Sequence, residues 1–210
     1  MTKKVQDNQA GISAALAQDP GLWPVGWRAA RWAELTLDPS VDVLVIGGGI
    51  TGAGIIREAA RAGLRVLLVE RDDFASGTSS RSSKMVHGGL RYLANYQLGL
   101  TRDSVRERRK LMQQLPGLAN PLWFMLGVYK GQKPNKAELS LGLFLYDQIA
   151  GKRSRRFHDA EATVENMPGI EENGLLGSFT YMDAATDDTR LTQRFLQEGV
   201  VDGGIALNYV

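Results

Sequence analysis

The sequence of 210 residues has no cysteine and only two histidines, His87 and His158. Disulfides, thiolate metal sites and cysteine nucleophiles are therefore excluded, and no metal centre is predicted. No apolar run approaches the roughly 18 to 20 residues that cross a bilayer, so we predict no transmembrane helix. The 25 basic and 23 acidic residues nearly balance, and a net charge of +2 gives no reason to expect a nucleic-acid partner.

The beginning of the chain also lacks the pattern of a targeting signal. Residues 1–10 are polar and have no apolar core of the signal-peptide type, which predicts a cytoplasmic location. Residues 1–40 are expected to form an N-terminal extension. Within it, Trp23, Trp27 and Arg31 would share one face of a helix and pack on the domain that follows.

Residues 41–70 have the pattern of a strand, a glycine-rich turn, a helix and a second strand. The apolar segment 41–46 is rich in β-branched residues, which is typical of a strand buried on both faces of a parallel sheet. The helix is expected over residues 50–62, with Gly63 as its left-handed C-terminal cap. The second strand is expected over residues 65–70. Elements in this order predict a Rossmann-like α/β unit that binds a dinucleotide.

The turn has the form G-x-G-x-x-G, in which each glycine has a separate role. The first permits a tight turn, the second lets a pyrophosphate approach the backbone, and the third lets the helix pack closely on the strand. The acidic residue that ends the second strand falls where ribose hydroxyls lie, and its charge would repel the 2′-phosphate of NADP. The pattern alone leaves FAD and NAD open, as well as a turn without a ligand. The predicted ligands are Gly47, Gly48, Gly49, Gly52 and Glu70.

Residues 71–93 are rich in hydroxyl groups and glycine and poor in apolar periodicity, so we expect an extended loop. Its hydroxyls could donate to phosphate or ribose oxygens, and Gly88 could let a flat ring approach the backbone; the alternative is a solvated serine-rich linker. His87 is either a structural residue or a donor at the ring edge. Lys84 would either stabilise negative charge on a reduced ring or be solvated. The candidate ligands in the loop are Thr78, Ser79, Ser83, Lys84, His87 and Gly88.

A resemblance to a known family rests on four motifs, namely GGGITGAG, TSSRSSKMVHGGLRYL, LGLFLYDQIAGKR and YMDAATDDTRLT. Together they resemble the amino-terminal region of FAD-dependent glycerol-3-phosphate dehydrogenase, the quinone-linked respiratory enzyme, and of the related glycerol-3-phosphate oxidase. The resemblance implies FAD at the glycine turn and at Glu70, with the loop of Thr78 and Ser79 around the cofactor. It also implies that Arg91 and Tyr92 bind the substrate, glycerol 3-phosphate, because a guanidinium fork suits a phosphate.

The resemblance further implies an α/β fold with a parallel sheet in the FAD-binding domain and the beginning of a substrate domain. The FAD-binding domain would occupy residues 41–210 and be incomplete at its C-terminus. Part of the substrate-binding or membrane-facing region would be inserted at about residues 120–180. The chain would then be an amino-terminal portion of an enzyme that oxidises glycerol 3-phosphate to dihydroxyacetone phosphate and passes the electrons to quinone. No residue is predicted as the catalytic base.

The remaining elements are predicted from periodicity. We expect helices over 96–115 and 137–150 and from 187 onward, and strands over 121–129, 175–182 and 205–210. The charged run 106–110 is expected on a solvated helix face. The basic cluster 152–156 is either solvated or in contact with an anionic membrane surface, which would make the protein peripheral on the cytoplasmic membrane.

Three alternatives to the quinone-linked enzyme follow from the same residues. One is an oxidase that passes electrons to oxygen, and another is a nicotinamide-dependent dehydrogenase that uses the same Rossmann unit. The serine-rich loop and the Arg91–Tyr92 pair speak against nicotinamide. The third is a module that holds FAD without catalysis, since the catalytic base has no candidate in these residues.

Overall fold

The computed structural model describes Trp23 and residues 25–210; the prediction for residues 1–10 lies outside this range. The described helices and strands, in chain order, are α1 (Trp27–Leu37), β1 (Val43–Ile46), α2 (Ile50–Arg61), β2 (Val66–Val69), β3 (Met85–Val86), α3 (Leu90–Ala94), α4 (Leu98–Gln114), β4 (Ala119–Tyr129), α5 (Lys136–Ala150), β5 (Arg156–His158), α6 (Ala160–Asn166), β6 (Leu175–Thr186), α7 (Asp188–Val201) and β7 (Ile205–Leu207). They form two compact units. The first unit comprises the described residues up to Ser82 together with Asp187–Val210, and the second is Ser83–Thr186.

The first unit contains a parallel three-stranded sheet in the order β1-β2-β7. Val45 pairs with Leu68, which in turn pairs with Ala206. These side chains form a core with Ile56 of α2 and Leu196 of α7. The predicted α/β fold with a parallel sheet is confirmed, and β7 joins that sheet as expected, although it ends at Leu207.

The glycine cap of α2 has the predicted form. Gly63 has φ of +79°, and its N–H donates to the carbonyl of Ala60 while the N–H of Leu64 donates to the carbonyl of Ala59. These two bonds satisfy carbonyl groups that the end of the helix leaves unpaired. The helix therefore ends where the sequence predicts, and the chain turns back into β2.

One expectation for β1 is wrong, because the strand is buried on one face only. Val45 is buried, but Leu44 and Ile46 are 55% and 83% exposed. The helices α2 and α7 cover the Val45 face. On the other face, Leu35 of α1 packs against Ile205 and Leu207 of β7, at the opposite edge of the sheet from β1. Alternating burial therefore replaces the continuous burial expected of a central strand.

An ion-pair cluster joins α2 to α7 in the first unit. Glu198 is 4% exposed and accepts hydrogen bonds from Arg57, Arg61 and Arg194 at 2.6, 2.6 and 2.8 Å. Burial would raise the pKa of Glu198, but the charge of Arg57 and the hydrogen bonds from Arg194 and Arg57 hold it below its ordinary value. Sequence periodicity did not predict this cluster.

The second unit contains an antiparallel sheet in the order β3-β6-β4, with β5 also paired to β6. Leu143 and Tyr146 of α5 pack against Phe179 and Tyr181 of β6. Asn135 caps α5 and forms a reciprocal pair of hydrogen bonds with Glu138. The predicted helix and strand positions hold, except that β6 continues to Thr186 and β4 begins at Ala119.

The expectation of an irregular loop over residues 71–93 is wrong in part. A short 3₁₀ turn forms at Thr78–Ser80, β3 at Met85–Val86, and α3 starts at Leu90. The strand β3 exists because Met85 pairs with Ala185, about a hundred residues away, and local periodicity cannot reveal such a pairing. None of the described helices is long and apolar enough to cross a membrane.

Candidate functional site

The glycine turn between β1 and α2 requires glycine at two of its positions, for different reasons. Gly47 has φ of +111°, which residues with a Cβ rarely adopt. A Cβ on Gly52 would lie 2.0 Å from the carbonyl oxygen of Gly47. The first and third glycines therefore have the roles that the motif predicts, a tight turn and close packing of the helix on the strand.

A cavity of about 540 Å³ opens beside this turn, within the first unit. The predicted residues that line it are Gly47, Gly49, Gly52, Thr78 and Ser79. Ser82 lines it as well, and sequence reasoning missed three further polar lining residues, Thr51, Asp188 and Thr192. The last two belong to α7, more than a hundred residues from the turn, and the sequence marks Asp188 only as an acidic residue in the first turn of a helix.

Hydroxyl groups surround the N-terminus of α2. The hydroxyl of Ser79 accepts a hydrogen bond of 2.9 Å from the N–H of Ile50, the first residue of the helix. It also lies 3.1 Å from where a Cβ on Gly49 would be. Ser82 donates to Asp188 at 2.6 Å across the same cavity. The turn therefore presents backbone N–H groups, a helix N-terminus and hydroxyl donors together, a combination that suits a phosphate-bearing ligand.

The carboxylate of Glu70 lies at the end of β2, beside the turn. It accepts hydrogen bonds from the N–H of Gly48 at 2.6 Å and from the N–H of Asp72 at 2.8 Å. A carboxylate has about four acceptor positions, so two remain for the hydroxyls of a ribose. Gly48 needs its lack of a side chain, since a Cβ there would lie 2.7 Å from the ring of Phe74.

The remaining six candidates lie in the second unit: Ser83, Lys84, His87, Gly88, Arg91 and Tyr92. The imidazole of His87 packs edge-on against the ring of Tyr92, with 5.6 Å between centroids. In the sequence, the apolar neighbours Leu90 and Leu93 predict an Arg91 that is drawn inward. This prediction is wrong, because Leu93 is buried but Arg91 lies on the solvent side of the short helix α3 and is exposed.

A buried polar cluster surrounds Gly88 in the second unit. The carboxylate of Asp183 accepts hydrogen bonds from the N–H of Gly88, at 2.8 Å, and from Arg108. Arg108 also donates to the hydroxyl of Tyr146 at 2.7 Å. A Cβ on Gly88 would lie 2.0 Å from that hydroxyl oxygen, so packing inside the unit already requires a glycine here.

The cluster also corrects one expectation. Arg108 belongs to the charged run 106–110 that we expected on a solvated face, yet it is 5% exposed because Asp183 and Tyr146 accept its hydrogen bonds. Burial, with the nearby charge of Asp183, raises the pKa of Tyr146 well above its ordinary value, although Arg108 works against that shift. The phenol therefore stays protonated.

Comparison with known proteins places these features in a family. The family model described as FAD dependent oxidoreductase matches residues 42–209, which include the glycine turn and Glu70. The chain belongs to this family of FAD-dependent oxidoreductases. The cofactor predicted from the sequence, FAD, is confirmed, and the cavity, the glycine turn and the acceptor positions on Glu70 fit it.

Two relatives also share much of the amino-acid sequence. The aerobic glycerol-3-phosphate dehydrogenase of Staphylococcus epidermidis is 42% identical over 175 residues, which are 82% of this chain and 31% of that protein. The Staphylococcus aureus enzyme of the same name is 42% identical over 171 residues, 80% of this chain and 31% of its own. The resemblance inferred from the four motifs is confirmed. The chain spans about a third of the length of these curated relatives.

Two solved structures have similar folds. The glycerol-3-phosphate dehydrogenase of Bacillus halodurans, complexed with FAD, has a TM-score of 0.63 at 31% identity and is matched over 87% of this chain and 29% of that one. The L-alpha-glycerophosphate oxidase of Mycoplasma pneumoniae, with FAD bound, has a TM-score of 0.63 at 16% identity, over 80% of this chain and 44% of that one. At 16% identity the second likeness concerns the fold alone.

Proposed function

We propose that this chain is the FAD-binding portion of an enzyme that oxidises sn-glycerol 3-phosphate to dihydroxyacetone phosphate. The observation that carries the proposal is the 42% identity, over 82% of the chain, to an aerobic glycerol-3-phosphate dehydrogenase. FAD, when bound, is the acceptor of the two electrons that leave the substrate carbon. The protein residues bind and orient both partners.

The candidates in the first unit would bind the pyrophosphate and the ribose of the cofactor. Gly47, Gly49 and Gly52 would admit the pyrophosphate to the N-terminus of α2. Thr78 and Ser79 would donate to phosphate or ribose oxygens, since their hydroxyls line the same cavity. The flavin end would be bound by Ser83, Lys84, His87 and Gly88.

The substrate phosphate would bind to Arg91, and Tyr92 beside it would line the substrate site. The guanidinium of Arg91 is exposed, so its N–H donors can reach a ligand. The planar arrangement of these donors matches the oxygens of a phosphate. We propose further that the second unit, Ser83–Thr186, contributes the substrate-binding and membrane-facing part of the longer enzyme, including the region at about residues 120–180.

For the electron acceptor we propose quinone, reached from the surface of the cytoplasmic membrane. The supporting observation is on α5, where Leu141, Phe144 and Leu145 are exposed, and the basic segment 152–156 follows the end of this helix. Exposed apolar side chains beside basic ones suit an anionic lipid surface. Arg155 has a structural role as well, since it pairs with Asp147 at 3.0 Å. Oxygen is the alternative acceptor.

Anaerobic titration of the purified protein with glycerol 3-phosphate tests the reaction. A yellow protein should lose its flavin absorbance when the substrate is added, and glycerol without phosphate should bleach it far more slowly. A yellow protein that the substrate does not bleach would favour a module that holds FAD without catalysis. A colourless protein that binds NADH would instead favour a nicotinamide-dependent enzyme.

Glu70→Gln should weaken FAD binding, because the amide keeps the size of the side chain but removes the charge that strengthens a hydrogen bond to the ribose. The expected loss is roughly 1.5 to 3 kcal/mol, measured as the dissociation constant of FAD for the apoprotein. An unchanged constant would mean that Glu70 serves only to bind the N–H groups of Gly48 and Asp72.

Arg91→Lys should raise the KM for glycerol 3-phosphate by about tenfold, since lysine keeps the charge but not the two-pronged geometry. Flavin content and Tm should stay as in the unmodified protein. Arg106→Lys, at another exposed arginine, is the matched control and should leave KM alone. A lower Tm with an unchanged KM would show that Arg91 has a structural role instead.

A further inference from the structure

The helix α1 lies outside the region that the family model matches, yet it is tied to the segment that follows β7, the strand that pairs with β2. The guanidinium of Arg28 donates to the backbone carbonyl and, at 3.3 Å, to the side-chain oxygen of Asn208, just after β7. It also donates to the carbonyl of Tyr209 at 3.2 Å. One side chain of the N-terminal extension therefore binds three acceptors on the segment that follows β7.

That segment in turn binds the turn that follows Glu70. The amide of Asn208 donates to the carboxylate of Asp73 at 3.0 Å, and the N–H of Tyr209 donates to the carbonyl of Asp72 at 3.2 Å. The N–H of Asp72 is one of the two that bind the carboxylate of Glu70. A continuous chain of hydrogen bonds therefore runs from Arg28 to the Glu70 carboxylate.

An aromatic contact reaches the same place by a second route. The ring of Trp23 stacks on the ring of Phe74 at 6.2 Å, with 25° between the planes, and Trp27 meets Trp23 edge to face. Phe74 fills the space beside Gly48, where a Cβ would lie 2.7 Å from it. The N–H of Gly48 is the other donor to Glu70. The polar and aromatic routes therefore converge on one carboxylate.

We infer that Arg28 is a positioning residue for FAD: it holds the Asn208–Tyr209 segment so that the turn after β2 fixes the Glu70 carboxylate in the orientation that the adenosine ribose needs. This inference rests on the proposed role of Glu70. Without Arg28, the three acceptor oxygens on Asn208 and Tyr209 form hydrogen bonds with water instead, and the Asn208–Tyr209 segment is no longer held by α1. The carboxylate must then lose conformational freedom when the nucleotide binds, which weakens binding.

Calorimetry of the full-length apoprotein with ADP tests the inference, because ADP carries the adenosine and both phosphates but no flavin. We expect Arg28→Ala to raise the dissociation constant of ADP by about tenfold, and Arg28→Lys, which can replace one of the three bonds, to raise it less. In a Glu70→Gln background the Arg28→Ala change should have little further effect, since both act through the same carboxylate.

Arg31→Ala is the matched control, because Arg31 lies on the same helix and, within the part of the chain that the structure describes, its side chain pairs with Glu34 alone. It should leave the ADP constant unchanged. Should Arg28→Ala fail to fold, Asn208→Ala breaks the link to Asp73 and should raise the constant by about threefold. If Glu70→Gln weakens ADP binding but neither Arg28→Ala nor Asn208→Ala does, the inference is wrong. If Glu70→Gln has no effect either, the proposed role of Glu70 fails first.

Discussion

Gly52→Ala is expected to raise the dissociation constant of FAD by about a hundredfold or more, which corresponds to about 3 kcal/mol. The new Cβ would lie 2.0 Å from the carbonyl oxygen of Gly47 and 3.3 Å from a methyl of Leu68. The first obstacle is backbone, so no rotamer change relieves it. The helix α2 must move away from β1, and the turn that we propose as the pyrophosphate site opens.

A glycine two residues further along the same helix provides the control. Among the described residues, no atom outside the neighbouring backbone of the helix lies within 4 Å of where a Cβ on Gly54 would be. Gly54→Ala should therefore keep FAD binding and raise the free energy of unfolding by up to about 1 kcal/mol, since alanine is the better helix former. Equal loss of FAD in both variants would show that the helix, and not the turn, limits binding.

Glu198→Ala is expected to lower the free energy of unfolding of the protein by about 3 to 5 kcal/mol. The change leaves Arg57, which is itself buried, without the carboxylate that accepts its hydrogen bond at 2.6 Å. Arg61 and Arg194 lose the same acceptor. Denaturant unfolding of both proteins at neutral pH measures the difference.

Acid should remove the same stabilisation from the unmodified protein. Because the pKa of Glu198 is lower in the folded state than its ordinary value of 4.5, the carboxylate stabilises the fold fully at higher pH. This contribution is lost as pH falls through the folded-state pKa. The stability difference between Glu198→Ala and the unmodified protein should therefore shrink in acid; a constant difference would point to packing alone.

Glu58→Ala is the matched control for the charge, since Glu58 approaches the same two arginines, Arg57 and Arg61, at 3.5 and 3.7 Å. Its side chain is exposed, so solvent screens the attraction. The change should cost no more than about 0.5 kcal/mol. A loss as large as that of Glu198→Ala would mean that net charge, and not the buried position, determines the effect.

The sequence predicted those parts of the site that depend on neighbours in the chain. The glycine turn, the helix after it and Glu70 all fall within thirty residues. In each case the local backbone geometry restricts the residue type, so the sequence itself indicates the structure. Hydroxyl-rich composition likewise indicated Thr78 and Ser79, which line the cavity.

Contacts between distant segments could not be predicted from residue types in this way. The cluster of Arg108, Tyr146 and Asp183 joins three elements, and only the fold shows that Gly88 is packed against it. For the same reason, the burial of Arg108 and the pairing of β3 escaped prediction. Leu44 and Ile46 are apolar but exposed. An apolar pattern indicates which side chains can be buried, but it does not predict whether another element covers them.

In the sequence, the second unit is inserted between two parts of the first, and this has a consequence for the order of folding. The strands β2 and β7 are neighbours in one sheet, but Ser83–Thr186, about a hundred residues, separates them in the chain. Inside that segment, β3 at its start pairs with β6 at its end, through Met85 and Ala185. Once these two strands have met, the loop that must close between β2 and β7 shortens to residues 70–84 and 187–204, about a quarter of its original length, which lowers the entropy cost of closing it by about 1 kcal/mol. We therefore expect the inserted segment to fold first and the parallel sheet beside the glycine turn to be completed last.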